Sequence, residues 1–282
     1  MTYYLETNSL RKLVPFLSSA VLREIAFSSI YSLMEIFSGI TDEDSYKKRK
    51  SILDKILNSR ITLILNLPET LLLNSFGFNL NDNEIVTGIG KVINLLTKSE
   101  SLSSFKEEME ISPLKIYYDF LVNYDHYASN RFFSSFNKSI DIVRKNNGFS
   151  KLRKAYSRRW TSRNPLFANE LYQFLVNKLG HSLWENKEDL KQGDTRTADE
   201  IIKSYNHSID ISIVMSAIYS DNHVTFGSMP GKNDFFDLSH LNYLDSIDKV
   251  IVTDDLLLHK LMTKSFSKLI TTTEGFLKQN SI

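Results

Sequence analysis

Apolar and polar positions change period twice along this chain. Residues 2–6, Thr-Tyr-Tyr-Leu-Glu, are short, aromatic and β-prone and predict a first strand. The segment Asn8–Leu17 predicts a short helix with Asn8 or Ser9 as its N-cap. Residues 24–30 predict a second strand, followed by a helix over 31–40 stopped at Gly39. In 41–58, acids fill the first turn, and Ile52, Leu53, Ile56 and Leu57 then fall at helical spacing. Residues 60–67 predict a third strand.

The middle of the chain reads differently. From Pro68 to about residue 198 the pattern is helical, with helices expected over 91–100, 112–133 and 169–186 and no strand. Residues 186–199 are polar and predict a loop. Beyond them, 197–220 predicts one helix opened by a Thr197/Glu200 capping box. Residues 223–226 predict a short strand, and 233–247 a helix beginning at Asn233 or Asp234. Residues 248–253 predict a buried strand, 256–265 a helix and 268–273 a last strand. Strands alternating with helices at both ends predict the α/β class. The expected organisation is a discontinuous core of 1–67 plus 200–282 around a central, mostly parallel sheet. An inserted all-helical subdomain, 68–199, separates its halves.

Composition narrows the function classes. The 282-residue chain has 34 Lys and Arg against 33 Asp and Glu, so total charge names no partner and local distribution carries the information. It has no cysteine, which excludes disulfides, thiolate zinc sites and a cysteine nucleophile. No apolar run reaches the length of a membrane span, and no basic-then-apolar leader opens the chain. A soluble, cytoplasmic protein without a membrane partner is the expectation.

The acids then stand out. Glu6 ends the first strand. Glu35 lies on the helix after the second. Asp237 lies near the start of the helix before the fourth strand, and Asp254 and Asp255 lie just past that strand. In open α/β sheets ligands gather outside the carboxyl ends of the strands. Carboxylates collected there repel one another unless a cation sits among them. Hard cations take such oxygen ligands, and two of them about 4 Å apart clamp the oxygens of a phosphodiester under attack. Each acid also has a plain structural reading. Glu35 fits a solvated helix face, and Asp234, Asp237, Asp254 or Asp255 fits an N-cap.

Four stretches together resemble the PIN-domain nucleases: Tyr-Tyr-Leu-Glu-Thr-Asn at 3–8, the segment 26–39 around Glu35, the segment 233–241 around Asp237, and Lys249–Leu258 with its Thr253-x-Asp255. The resemblance covers about half the chain. It implies a PIN-like three-layer α/β/α core and Mg²⁺- or Mn²⁺-dependent hydrolysis of phosphodiesters, most often in RNA. Glu6, Glu35, Asp237 and Asp255 would be catalytic metal ligands, with Asp254 and Asp234 in reserve. Asn8 and Thr253 would orient acids or backbone. Many relatives are toxins or defence effectors restrained by a partner, so a regulatory protein or a homo-oligomer is a further expectation. The chain departs from the family in having Glu rather than Asp at the first acid and a far longer Glu35-to-Asp237 spacing. A catalytically degenerate binding or regulatory module, and a DNA nuclease with the same site, are the alternatives.

Residues 142–169 hold eight Lys and Arg and no acid. Tyr156 and Trp160 interleave with Lys151, Arg153, Lys154, Arg158, Arg159 and Arg163. Phosphates favour such charge and unpaired bases stack on such rings. A solvated helix face with two half-buried rings is the equal alternative. The run 46–50 reads as a solvated face. His240 and His259 follow acids at helical spacing but make no metal pattern.

Overall fold

The computed structural model describes residues 1–124, 165–226, 231, 233–263 and 266–282, with backbone alone for 165–171 and 220–226. The chain divides into two compact units: residues 1–70, 81–127 and 246–282 form the first, and 71–80 with 128–245 the second.

The first unit is built on a five-stranded, all-parallel sheet. Its strands are β1 (Thr2–Leu5), β2 (Ala26–Ser29), β3 (Thr62–Ile64), β4 (Lys249–Val252) and β5 (Ile270–Thr271), in the order β3-β2-β1-β4-β5. All four residues of β2 are buried, as are Val250, Ile251 and Val252, which is how a parallel strand covered on both faces reads. The order runs outward from β1 in both directions. With right-handed crossovers this is compatible with helices on both faces, a three-layer α/β/α arrangement.

Local chemistry sets the helices around it. Helix α1 spans Thr7–Leu13. Helix α2, Ala20–Ile25, runs directly into β2. Ser29 caps α3 (Ile30–Ser38), its hydroxyl accepting from the N–H of Ser32 at 3.2 Å, and Gly39 ends that helix. Asp42 and Ser45 form a capping box at α4, Glu43–Ser59. Helix α5 (Pro68–Ser75) follows β3. Helix α1 packs on α3 and α3 on α4, which in turn packs on α6 (Asn83–Lys98); α6 packs on α7 (Leu102–Ile111). The last helices of this unit are α13 (Leu256–Met262) and α14 (Thr273–Asn280), and Phe276 of α14 meets Tyr3 edge-on with centroids 4.8 Å apart.

The second unit is helical where described. Helix α8 (Pro165–Glu185) packs against α10 (Ala198–Lys203) and α11 (Asp210–Phe226), and the short α9 (Lys187–Leu190) follows α8. Its core joins Phe76, Phe78, Val176, Ile201, Tyr205, Ile209 and Ile213. Arg196 ties this unit locally: it pairs with Asp194, donates to the carbonyl of Phe76 at 3.1 Å and lies over the ring of Phe78.

Several expected elements differ in the structure. The one helix expected over 197–220 is two, because the chain turns at 204–209. There Tyr205 is drawn into the core, the side chain of Asn206 accepts from the N–H of Ser208, and His207 takes φ 65°. The strand expected at 223–226 is the last turn of α11, since extending a formed helix costs less than starting a new element. The polar loop 186–199 contains α9. Helices α2 and α14, too short for a clear period, were not expected.

Candidate functional site

The sheet order places the site. β1 and β4 are neighbours, and the chain reverses its direction of winding between them. The crevice outside their carboxyl ends is where doubly wound sheets bind ligands. Leu5 stands opposite Val252 in the register, and the N–H of Glu6 donates to the carbonyl of Val252 at 3.4 Å. Glu6 and the loop Thr253–Asp255 therefore leave the sheet side by side.

Glu6 answers a local need as well. It is buried and is itself the N-cap of α1, in place of the Asn8 or Ser9 expected from sequence. Its carboxylate accepts from the N–H groups of Asn8 (2.8 Å) and Ser9 (3.1 Å), two of the donors a helix start leaves orphaned. Glu35 reaches the same helix start: its carboxylate accepts the hydroxyl proton of Thr7. Tyr4 of β1 is fully buried, and its hydroxyl is 2.9 Å from Ser29 Oγ. Burial pushes its pKa far above the phenolic range, and the charges of Glu35 and Glu6 add to that rise.

The β4 side is equally constrained. Thr253 is fully buried; its Oγ1 accepts from the N–H of Asp255 at 3.0 Å, and its carbonyl is 2.8 Å from His259 Nε2. Asp255 caps α13, accepting from the N–H of Leu258 at 2.9 Å. Asp254 turns the other way. It accepts from the N–H (3.0 Å) and hydroxyl (2.6 Å) of Thr273 and pairs with Lys12 at 2.8 Å. Burial alone would raise the pKa of Asp254, but Lys12 and Thr273 outweigh it and hold the carboxyl below the ordinary aspartate range. A cleft of about 530 Å³ opens here, lined by Asn8, Arg11, Lys12, Ile52, Asp254 and Asp255 among others.

The first unit thus brings Glu6, Glu35, Asp254, Asp255, Asn8 and Thr253 to one sheet edge. Asp237 and Asp234 belong to the second unit, in helix α12 (Asp234–Ser239). Asp234 accepts from the hydroxyl of Tyr219 at 2.6 Å and the N–H of Gly231 at 2.7 Å. Asp237 is half-buried, and its charge reaches the same Tyr219 hydroxyl, which burial and Asp234 push far up. His240 is buried at the start of the 3₁₀ turn that follows.

All the acids are hard oxygen donors, the kind Mg²⁺ or Mn²⁺ takes. Among the described residues no three Asp, Glu or His side chains stand close enough together to hold an ion. The basic stretch with Lys151, Arg153, Lys154, Tyr156, Arg158, Arg159, Trp160 and Arg163 lies outside the described residues. The run 46–50 is partly structural: Tyr46 is buried, Arg49 donates to the carbonyl of Ile36 at 2.8 Å, and Lys50 donates to that of Ser99. Thr7, Ser9, Arg11, Lys12 and Thr273 are site residues that the sequence reading missed. Arg11 and Lys12 were legible as basic residues closing a short helix, but their partners lie far along the chain. No helix among the described residues is long and apolar enough to cross a membrane. No family model, no curated protein and no solved structure matches the chain.

Proposed function

We propose that this protein is a metal-dependent, PIN-type nuclease that hydrolyses phosphodiester bonds in RNA. The observation that supports this is the pairing of Glu6 with Thr253–Asp255 at the adjacent ends of β1 and β4, with Glu35 bonded to Thr7 directly after Glu6. Glu6, Glu35 and Asp255 of the first unit would hold Mg²⁺ or Mn²⁺, with Asp254 in reserve; Asp237 and Asp234, which belong to the second unit, are the further acids that the resemblance offers. Such an ion, when bound, makes water a nucleophile near neutral pH and stabilises charge on the phosphate. The chain's own contribution is orientation. The N-cap bonds hold Glu6 at the strand end, Thr7 aims Glu35, and Thr253, itself fixed by His259, holds the backbone of Asp255.

The test is cleavage of labelled single-stranded RNA, folded RNA and single-stranded DNA with Mg²⁺, Mn²⁺ or EDTA. Glu6→Gln, Glu35→Gln, Asp237→Asn and Asp255→Asn are run alongside. Metal-dependent RNA cleavage that these variants lose is the expected result. Cleavage that survives in Glu35→Gln and Asp255→Asn sinks the assignment.

A second reading has its own support. Glu6 and Asp255 each cap a helix, and Lys12 neutralises Asp254, so much of the acidic charge is satisfied within the protein. This favours a nucleic-acid-binding module without catalysis, for which the same assay gives salt-sensitive binding and no cleavage.

A further inference from the structure

The cleft beside the acids carries cations as well as carboxylates, and they are not equally occupied. Lys12 is neutralised by Asp254 at 2.8 Å. Arg11, its neighbour in the last turn of α1, is exposed, lines the cleft and makes no ion pair among the described residues. A third cation, on α4, is held at the end of α3. Arg49 is half-buried with its guanidinium anchored on the carbonyl of Ile36. Burial lowers its pKa, and repulsion from the charge of Arg11 lowers it further, so the two guanidiniums feel each other. An exposed guanidinium without an ion pair among the described residues, lining an open cleft, makes a place where an anion is stabilised. The hydrogen-bonding fork of arginine matches phosphate oxygens two at a time.

We propose that Arg11 is the phosphate-contacting residue of this cleft, gripping a backbone phosphate of single-stranded RNA next to Asp254 and Asp255. This deepens the nuclease reading and rests on it for the identity of the polyanion. Arg11 is a substrate-positioning residue: it holds the strand, and the acids do the chemistry. The neutral Lys12–Asp254 pair beside it lets the strand approach without meeting a second uncompensated carboxylate. Leu256, exposed at the mouth of the same cleft, offers an apolar surface to a base or ribose.

The experiment is binding of a short labelled single-stranded RNA to the full chain, read by fluorescence anisotropy in EDTA over a series of KCl concentrations. Arg11→Gln and Arg11→Lys are compared with the parent, and each protein is melted to confirm folding. The expected result is that Arg11→Gln binds roughly five- to tenfold more weakly and its log K against log[KCl] slope falls by about 0.7, the value of one single-strand phosphate contact. Arg11→Lys keeps the slope and loses part of the affinity, because it retains charge without the fork. An Arg11→Gln protein with parental affinity and slope overturns the proposal, as does a parent that binds no RNA. Single-stranded DNA and free inorganic phosphate are the competing arms. Displacement of RNA by millimolar phosphate alone would assign the cleft to a small anion and overturn the strand contact. Failure of the nuclease reading is separable: loss of binding in Arg11→Gln with no cleavage in any metal leaves the phosphate contact standing without the chemistry.

Discussion

The ammonium group of Lys12 meets the carboxylate of Asp254 at 2.8 Å across 242 residues of chain. The pair ties α1 to the loop after β4, and Asp254 extends the tie to the start of α14 through Thr273. Lys12 is largely exposed, at 60% for its side chain, so its charge is well screened. Lys12→Met is expected to cost less than about 1 kcal/mol. Asp254→Ala also strands the N–H of Thr273, whose hydroxyl keeps only the Ser9 hydroxyl at 3.0 Å, and is expected to cost about 1–3 kcal/mol. Urea unfolding of the two variants checks the order; equal losses would show that the Thr273 contacts contribute nothing.

Glu6 serves the helix whether or not it serves a metal. Glu6→Ala removes the acceptor for two backbone N–H groups and is expected to cost about 1–2 kcal/mol. Glu6→Asp substitutes a favoured N-cap residue and is expected to stay within about 1 kcal/mol of the parent while still cleaving RNA in Mn²⁺. Thermal melts paired with the cleavage assay separate the two roles. A stable Glu6→Asp protein that no longer cleaves would show that the extra methylene sets the metal geometry.

Gly88 lies inside α6, where a methyl group would run into the ring of Tyr117. Helix propensity alone favours Gly88→Ala by about 1 kcal/mol. Overpacking against a half-buried ring costs about 1–3 kcal/mol. The net expectation is a lower melting temperature, and a Gly88→Ala protein more stable than the parent would show that Tyr117 swings aside freely.

Asp194 gives the second unit an acid-sensitive point. Its hydrogen bond to the Arg196 guanidinium, 2.5 Å at the closest, outweighs burial, the second influence, and holds its pKa at about 2 against an ordinary 3.8. The folded value is depressed, so its stabilisation is complete above about pH 4 and fades as pH falls toward 2. Asp194→Asn is expected to lower stability at pH 6 and to flatten the loss between pH 4 and 2. Urea midpoints across that range check it; parallel parent and variant curves would remove Asp194 from the acid limb.

The local features were legible in sequence. β1, β2 and β4 announced themselves as short apolar runs, Gly39 as a helix stop, and Thr197 with Glu200 as a capping box that the structure closes. Even the placement of Glu6 at a strand end could be read, because strand and cap signals act over a few residues. Their energies are short-range, so one segment carries the whole message.

Tertiary structure decided what depends on partners. Asp254 and Asp255 are adjacent and chemically identical, yet Asp255 caps its own helix while Asp254 bonds to Thr273 and Lys12. Nothing within a few residues distinguishes them; the difference is the pairing of β4 with β1 on one side and β5 on the other. The same pairing sets Glu6 beside Thr253. The turn at 204–209 likewise follows from burying Tyr205 in a core that Phe76, Phe78 and Val176 of distant segments share with Ile201, Ile209 and Ile213. Periodicity records which face of a segment is apolar, but strand order and side-chain partners come from contacts between distant segments, whose energies appear only once the chain has closed on itself.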